Sequence, residues 1–374
     1  MPSLELIPFN DLSRAAPEVT IQIEEAIARV VASGWFIMGP EHNALEVELS
    51  QYLNVADTVL VGNGTDALEL ALAAVGVDAG DRVLTVANAG GYATIAARQL
   101  GAVPVYCDVS SDTLLMTAEL VRAELSTSAI KPTAIVVTHL FGAMAPVEQI
   151  VAVAREYGVA VVEDCAQSIG ARVGGQQCGS FGDIATTSFY PTKNLGALGD
   201  GGAVFTNRTE LAMQVRRMRQ YGWDSKYHIA HDHGRNSRLD EMQAAILRVK
   251  LPYLDSWNRR RRDIHSRYEE AASGTVHVVN TSSESFTAHL AVLTSADRDR
   301  SRAVFRDAGI GTDVHYPIPD HEQNFPTGKP VAVSLPVTEA AAAAIFSIPL
   351  FPELSGEELD RICATLSILG RDHD

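Results

Sequence analysis

Residues 161–171 read VVEDCAQSIGA and residues 179–207 read GSFGDIATTSFYPTKNLGALGDGGAVFTN. The apolar run Val159 to Val162 predicts a short buried strand that delivers Glu163 and Asp164 at its carboxyl end, where open α/β sheets keep their ligands. Ile184 to Tyr190 predicts a second strand, broken by Pro191-Thr192-Lys193-Asn194, so Lys193 falls on a loop at a strand end. A glycine-rich hairpin follows. An aldehyde cofactor asks for such a pair: an amine to form a Schiff base, and a carboxylate to keep a pyridine nitrogen protonated. Alone, neither residue decides anything, because a loop lysine is ordinarily a solvated charge and a strand-end aspartate ordinarily a cap.

Outward from this stretch, strands and helices alternate. Thr58 to Val61, Arg82 to Val86, Val103 to Tyr106 and Ala134 to Val137 read as strands. Helices are expected over Val19–Ser33, Glu41–Tyr52, Thr65–Val75, Thr94–Leu100, Ala118–Leu125 and Val147–Tyr157. This is the pattern of an α/β protein with a mainly parallel sheet wrapped by helices. Residues 1–15 read as an arm packed on the body. A helix is expected from Asn236 to Lys250, then a long basic one from Leu254 to Ala272 leading out of a large domain (1–250). The smaller α+β domain (251–374) has strands near Val276–Val279 and Ala288–Leu293, and helices near Ser301–Ala308 and Gly356–Leu369. Glu339 to Ile345 reads as a plain helix former, and Glu322 to Leu335 as the loop with the most freedom.

The 374 residues are 46% hydrophobic and 20% charged, a composition suited to a large core plus a second domain. A formal net charge of -16 argues against nucleic acid or an anionic membrane as partner, so an anionic ligand must find a local positive site. The four cysteines are scattered without a CxxC pair, which suits thiols in a reducing cytoplasm. No signal-peptide pattern precedes Pro8, and no apolar run reaches membrane-spanning length.

Gly62-Asn63-Gly64, between a strand and a helix opening with Thr65, would aim free backbone N–H groups at one point and make an anion site that suits a cofactor phosphate. Thr65 and Asp66 are the capping candidates of that helix. The same letters fit a relaxed dinucleotide fingerprint, which leaves a nicotinamide enzyme as rival. The next strand offers no carboxylate for a ribose, which counts against that rival. An unoccupied turn is the third reading.

Four segments together resemble the DegT/StrS-type sugar aminotransferases: Gly62 to Leu68, Glu163 to Gln167, Ser188 to Gly196 and Gly234 to Glu241. Ser33-Gly34, Gly39-Pro40-Glu41, His139 to Gly142 and His315-Tyr316-Pro317 add to the likeness, which spans nearly the whole chain. The resemblance implies a type I aminotransferase fold, pyridoxal 5'-phosphate as cofactor, and a homodimer with shared active sites. It implies Lys193 as the Schiff-base lysine and proton carrier, Asp164 as partner of the pyridine nitrogen, and Gln167 near the phenolic oxygen. Gly64, Thr65 and Ser188 would hold the phosphate, joined by Asn236 of the neighbouring subunit. L-Glutamate would supply nitrogen to a ketone on a nucleotide-linked sugar. A dTDP-linked 4-keto-6-deoxyhexose aminated at C4 is the expected acceptor, with C3 amination as the nearest alternative.

One departure from the family stands out. Its aromatic or histidine stacked on the cofactor face is replaced by Gly91, with Tyr92 as a candidate substitute or a core residue. His315 and Tyr316 could border the sugar. Lys226, Arg238, Lys329 and the Arg259–Arg262 cluster are alternative contacts for a diphosphate, the last more simply a solvated helix face. His228, His231 and His233 match no strong metal-ligand spacing, so no metal is expected. Cys165 reads as a small buried residue. A cofactor-fold protein that no longer catalyses and acts as a regulator is the competing function, opposed by the intact Lys193, Asp164 and Gln167.

Overall fold

The computed structural model describes residues 5–272, 274, 276–326 and 333–369. Its strands are β1 (Asp57–Val61), β2 (Arg82–Val86), β3 (Val103–Cys107), β4 (Ala134–Thr138), β5 (Ala160–Asp164), the two-residue β6 (Arg172–Val173) and β7 (Gln176–Gln177), β8 (Ile184–Ser188), β9 (Gly202–Thr206), β10 (Trp223–Ser225), β11 (His228–Ile229), β12 (Val276–Val278), β13 (Ala291–Ser295) and β14 (Ile345–Ile348). Its α-helices are α1 (Pro17–Ser33), α2 (Pro40–Leu53), α3 (Gly64–Ala74), α4 (Tyr92–Gln99), α5 (Ala118–Thr127), α6 (Val147–Tyr157), α7 (Thr209–Met218), α8 (Glu241–Lys250), α9 (Leu254–Ala271), α10 (Arg298–Asp307), α11 (Pro336–Ala344) and α12 (Gly356–Leu369).

Seven strands form one sheet in the order β1-β9-β8-β5-β4-β2-β3. The pairs from β8 to β3 are parallel, whereas β9 runs antiparallel to both β8 and β1. Being antiparallel to β9, β1 points the same way as β8, so the carboxyl ends of β1, β5 and β8 lie on one edge of the sheet. Both faces are covered. Val161 belongs to one apolar cluster and its neighbour Val162 to another, which is why these strands read as continuous apolar runs rather than as alternating ones. The first cluster continues into Phe305, Phe346 and Leu366, behind a three-stranded antiparallel sheet, β12-β13-β14.

Several boundaries differ from the sequence reading. The helix expected from Asn236 starts at Glu241; Asn236 instead bridges Gln220, and Asp240 bridges Ile37. Glu241 has a reason to stand at a helix start. Its buried carboxylate accepts the Gly39, Glu41 and His42 N–H groups at 2.7–2.9 Å and so caps α2 from outside. Neither Thr65 nor Asp66 caps α3; Asn63 does, its Oδ1 accepting the Asp66 N–H at 2.8 Å. The Ala-rich helix ends at Ala344, and Ile345–Ile348 pairs with β13, because Ile-Phe-Ser-Ile is a buried β-type run. The strand expected from Ala288 begins at Ala291. Residues 327–332, within the loop expected to be freest, lie outside the described residues.

The arm reaches the opposite end of the chain. Ile7 is fully buried, donates to the Gly309 carbonyl and accepts from the Gly311 N–H, each at 2.9 Å. Arg14 forks onto Glu358 at 2.8 and 2.9 Å.

Candidate active site

Parallel pairing of β5 with β8 sets Asp164 beside Thr186, so the acid that ends one strand and the lysine that follows the next emerge on the same edge. Both line a cavity of about 590 Å³, together with Gly64, Thr65, Gln167, Ser188, Tyr92, His315 and Tyr316. That gathers most of the site expected from sequence. Asn236 and Arg238 lie outside it, on a loop whose Ser237 Oγ accepts the Gly62 N–H at 2.9 Å and so braces the glycine turn from behind. Lys329 lies outside the described residues. Lys226 sits over the Tyr227 ring, away from the cavity.

Burial lowers the Lys193 ammonium to about 8, against the attraction of Asp164. Burial raises Asp164, countered by the Ala166 N–H at 3.1 Å and by Lys193. These groups sense each other without forming an ion pair, and Asp164 is a buried carboxylate that accepts from a single backbone N–H. Such an acid suits a cationic ring nitrogen. Because only the neutral amine attacks an aldehyde, capture of pyridoxal phosphate by the cofactor-free protein is expected to accelerate with rising pH and level off just above pH 8. An unperturbed lysine, titrating near pH 10.4, would keep accelerating. Stopped-flow absorbance across pH 6–10 reads the inflection.

Gly64 is the first residue of α3, and by position it and Thr65 have N–H groups without intrahelical partners. A Cβ at Gly64 would stand 2.6 Å from the Ser188 Cβ, so only glycine lets the helix start approach β8. This cradle is of the kind that holds a phosphate. Gly64→Ala is expected to weaken cofactor binding by roughly tenfold or more, the cost of about 1–3 kcal/mol for an overpacked contact. An equilibrium titration of the cofactor-free variant measures it.

Gln167 is fixed at one end by the Phe141 N–H, which donates to its Oε1 at 2.6 Å; its Nε2 donates to the Tyr316 hydroxyl at 3.2 Å. One amide hydrogen remains for a phenolic oxygen. Beside Gly91 it is Tyr316, rather than the candidate Tyr92, that lies against the backbone. Gly90 and Gly91 both have positive φ, and a Cβ at Gly90 would lie 2.9 Å from the Tyr316 ring. Tyr316 therefore packs on the Gly90 backbone, with Tyr92 edge-on at 6.3 Å. Tyr92 is 46% exposed and lines the cavity, which excludes a core role. Phe9 stacks on His315 at 5.5 Å and lines the cavity with Asn10, a contribution that the sequence does not announce.

The residues around Glu163 are a frame for this edge. Its buried carboxylate accepts N–H groups from Gly179, Phe181 and Gly182 at 2.7–3.0 Å. His139 Nδ1 accepts the Ala145 N–H, so Nε2 carries the proton and donates to Glu163 at 3.0 Å. Cys165 is buried, as expected, with its Sγ 3.3 Å from that of Cys178. These four side chains place ligand-type atoms within 4.8 Å of one another, but the atoms are engaged with each other and with the backbone. The histidines weighed for metal do not converge: His228 pairs with Asp224 at 2.7 Å and His233 with Asp78 at 3.4 Å.

The Arg259–Arg262 cluster is not a plain solvated face. Leu254, Asn258, Arg261, Ile264, His265 and Tyr268 form the buried stripe of α9, and Arg261 is 6% exposed and lines the cavity.

A lysine of lowered basicity, a buried acid and a phosphate-type cradle on one edge of an α/β sheet are the parts that a pyridoxal-phosphate-dependent enzyme needs. Residues 17–367 match the DegT/DnrJ/EryC1/StrS aminotransferase family, and the chain belongs to it. It is 39% identical to the erythromycin biosynthesis sensory transduction protein EryC1 of Saccharopolyspora erythraea, over 96% of this chain and 98% of that one. It is 37% identical to the dTDP-3-amino-3,4,6-trideoxy-alpha-D-glucose transaminase of Streptomyces venezuelae, over 95% and 94%. The crystal structure of NtdA from Bacillus subtilis with bound cofactor PMP superposes with a TM-score of 0.92 at 29% identity, over 99% of this chain and 86% of that one. The family and the fold exclude the nicotinamide reading. No helix among the described residues is long and apolar enough to cross a membrane.

Proposed function

We propose that this protein transfers the amino group of L-glutamate to carbon 3 of a dTDP-linked ketosugar, as a homodimer whose subunits complete each other's sites. The observation that carries the chemistry is the gathering of Lys193, Asp164 and the Gly64–Thr65 cradle around one cavity. Gly64, Thr65 and Ser188 would hold the phosphate, Asp164 the ring nitrogen, Gln167 the phenolic oxygen and Lys193 the aldehyde carbon. When bound, the cofactor supplies an electrophilic carbon and an electron-accepting ring. Lys193 Nζ, neutral in a larger fraction than an ordinary lysine because burial lowers its basicity, takes the proton leaving the donor's α-carbon and returns one during the second half of the cycle. Asp164 keeps a proton on the ring nitrogen through its charge. Tyr92, Tyr316 and His315, on the open side, would border the sugar.

The Streptomyces venezuelae relative carries carbon 3 and dTDP in its name, which favours these over the carbon-4 expectation. Asn236 is exposed and outside its own chain's cavity, as suits a residue serving a neighbouring subunit. Trp35, Phe36 and Ile37 expose a further apolar stretch, 57%, 49% and 39% accessible, that a second copy could cover.

The test is incubation of the pyridoxamine-loaded protein with dTDP-, UDP- and GDP-linked 3-keto and 4-keto sugars, following the cofactor spectrum and identifying the product. Return of the aldehyde form with a dTDP-3-ketosugar alone is the expected result; return with a 4-keto sugar moves the amination to carbon 4. The name of the Saccharopolyspora relative favours a second reading, a regulator that binds cofactor without turning over. A yellow protein that no amino donor bleaches would establish it.

A further inference from the structure

Behind the strand end that carries Asp164, two thiols face each other. Cys165 Sγ lies 3.3 Å from Cys178 Sγ, in direct contact, and both cysteines are free and buried. Their surroundings are polar. Ser168 Oγ stands 2.9 Å from Cys178 Sγ, and the Glu163 carboxylate and His139 ring have atoms within 4.8 Å of both sulfurs. Burial raises both thiols, but contacts with Cys165 and His139 bring Cys178 below its ordinary range, whereas Cys165 is held above it. Burial acting alone does the opposite at Cys107, which it pushes up to about 12. A metal ion would have to strip Glu163 of the Gly179, Phe181 and Gly182 N–H groups and His139 of its proton, so the sulfurs are the reactive part of this cluster.

The two sulfurs differ in access. Cys178 follows the short strand β7, whose pairing with β6 covers two residues on each side, and the Gly174–Gly175 turn between them is exposed. Hairpins this short open locally at small cost. Cys165 is sheltered by the Gly179 backbone, where a Cβ would stand 3.2 Å from its sulfur. A small oxidant therefore meets Cys178 first, with Cys165 placed to resolve the product.

We infer that Cys165 and Cys178 form an oxidation site for a hydroperoxide, closing a reversible disulfide that disturbs the seat of Asp164. The Cys178 thiolate attacks one peroxide oxygen: an S–O bond forms, the O–O bond breaks, and the departing hydroxide takes up the proton that Cys178 gave up. The Cys165 thiol then attacks the sulfenic sulfur: the S–S bond forms, the S–O bond breaks, and the second oxygen leaves as water with the thiol proton. Two thiols are oxidised, and one hydrogen peroxide is reduced to two waters. The sulfurs must close from 3.3 Å to about 2.05 Å. Cys165 stands between Asp164 and Ala166, whose N–H donates to Asp164 at 3.1 Å. The movement is thus felt at the acid, a consequence that rests on the role given to Asp164 above.

Wild-type protein treated with hydrogen peroxide and digested without reduction tests the site with no turnover. A peptide pair joined through residues 165 and 178, lighter by two hydrogens and released by dithiothreitol, is expected at a dose that leaves Cys107 alkylatable after unfolding. Cys165 and Cys178 remaining as alkylatable as Cys107 would overturn the assignment. In Cys165→Ser the sulfenic acid is expected to persist on Cys178 and to be captured by dimedone; no adduct there would overturn the order of attack. Should that variant not fold, the wild-type peptide map decides alone. Cofactor titration of the oxidised, cofactor-free protein should show binding weakened about tenfold and restored by dithiothreitol. Equal affinity in the two forms would overturn the link to Asp164. The peptide map is independent of any amino transfer, so its failure and that of the functional reading are separate events.

Discussion

Lys193→Ala is expected to lower turnover by at least roughly 10⁴-fold, because it removes both the covalent anchor and the proton carrier. Borohydride treatment, followed by peptide mass analysis, should fix cofactor on Lys193 in wild type and nowhere in the variant. The fold should persist. Lys193 is half-buried on the cavity wall, and its loss removes the desolvation cost that lowers its basicity. Addition of ethylamine or methylamine could restore part of the proton transfer. Normal turnover by the variant would end the role given to this side chain.

Asp164→Ala should have the second largest effect, a fall in turnover on the order of 10²–10³-fold, the range for deleting one electrostatic partner of a developing charge. The borohydride adduct on Lys193 is expected to survive, which distinguishes loss of the electron sink from loss of the cofactor. Asp164→Glu, adding a methylene where the strand end is 6% exposed, should retain little activity. A variant with alanine here that works at the wild-type rate would show that the ring nitrogen needs no anion.

These two residues were legible before any coordinates, because their chemistry is written locally: an apolar run ending in an acid, and another ending in Pro-Thr-Lys. The glycine cradle was legible for the same reason, although the residue that caps it was not. Asn63 and Thr65 are both good caps, and the choice depends on where the chain turns, which is set by the approach of Gly64 to Ser188. Arg261 was hidden by its neighbours. Four consecutive arginines suggest solvent, yet the spacing Leu254, Asn258, Arg261, Ile264, Tyr268 marks one helical face, and following that period would have separated Arg261 from the rest. The cover of the Gly90-Gly91 stretch was out of reach, since Tyr316 arrives there from more than two hundred residues away. So was β14, where a helix-forming alanine run leads directly into a strand that only its partner β13 reveals.

Phe9 and Asn10 are made some three hundred residues before Gly309 and Gly311, whose backbone groups hold Ile7 beside them. During synthesis the cavity wall must therefore wait for some three hundred further residues, and the loop so closed is among the costliest the chain makes. A truncated product ending near residue 300 would keep its lysine, acid and cradle yet lack a side to the vessel, and trimming through Asn10 would open the same side from the other end.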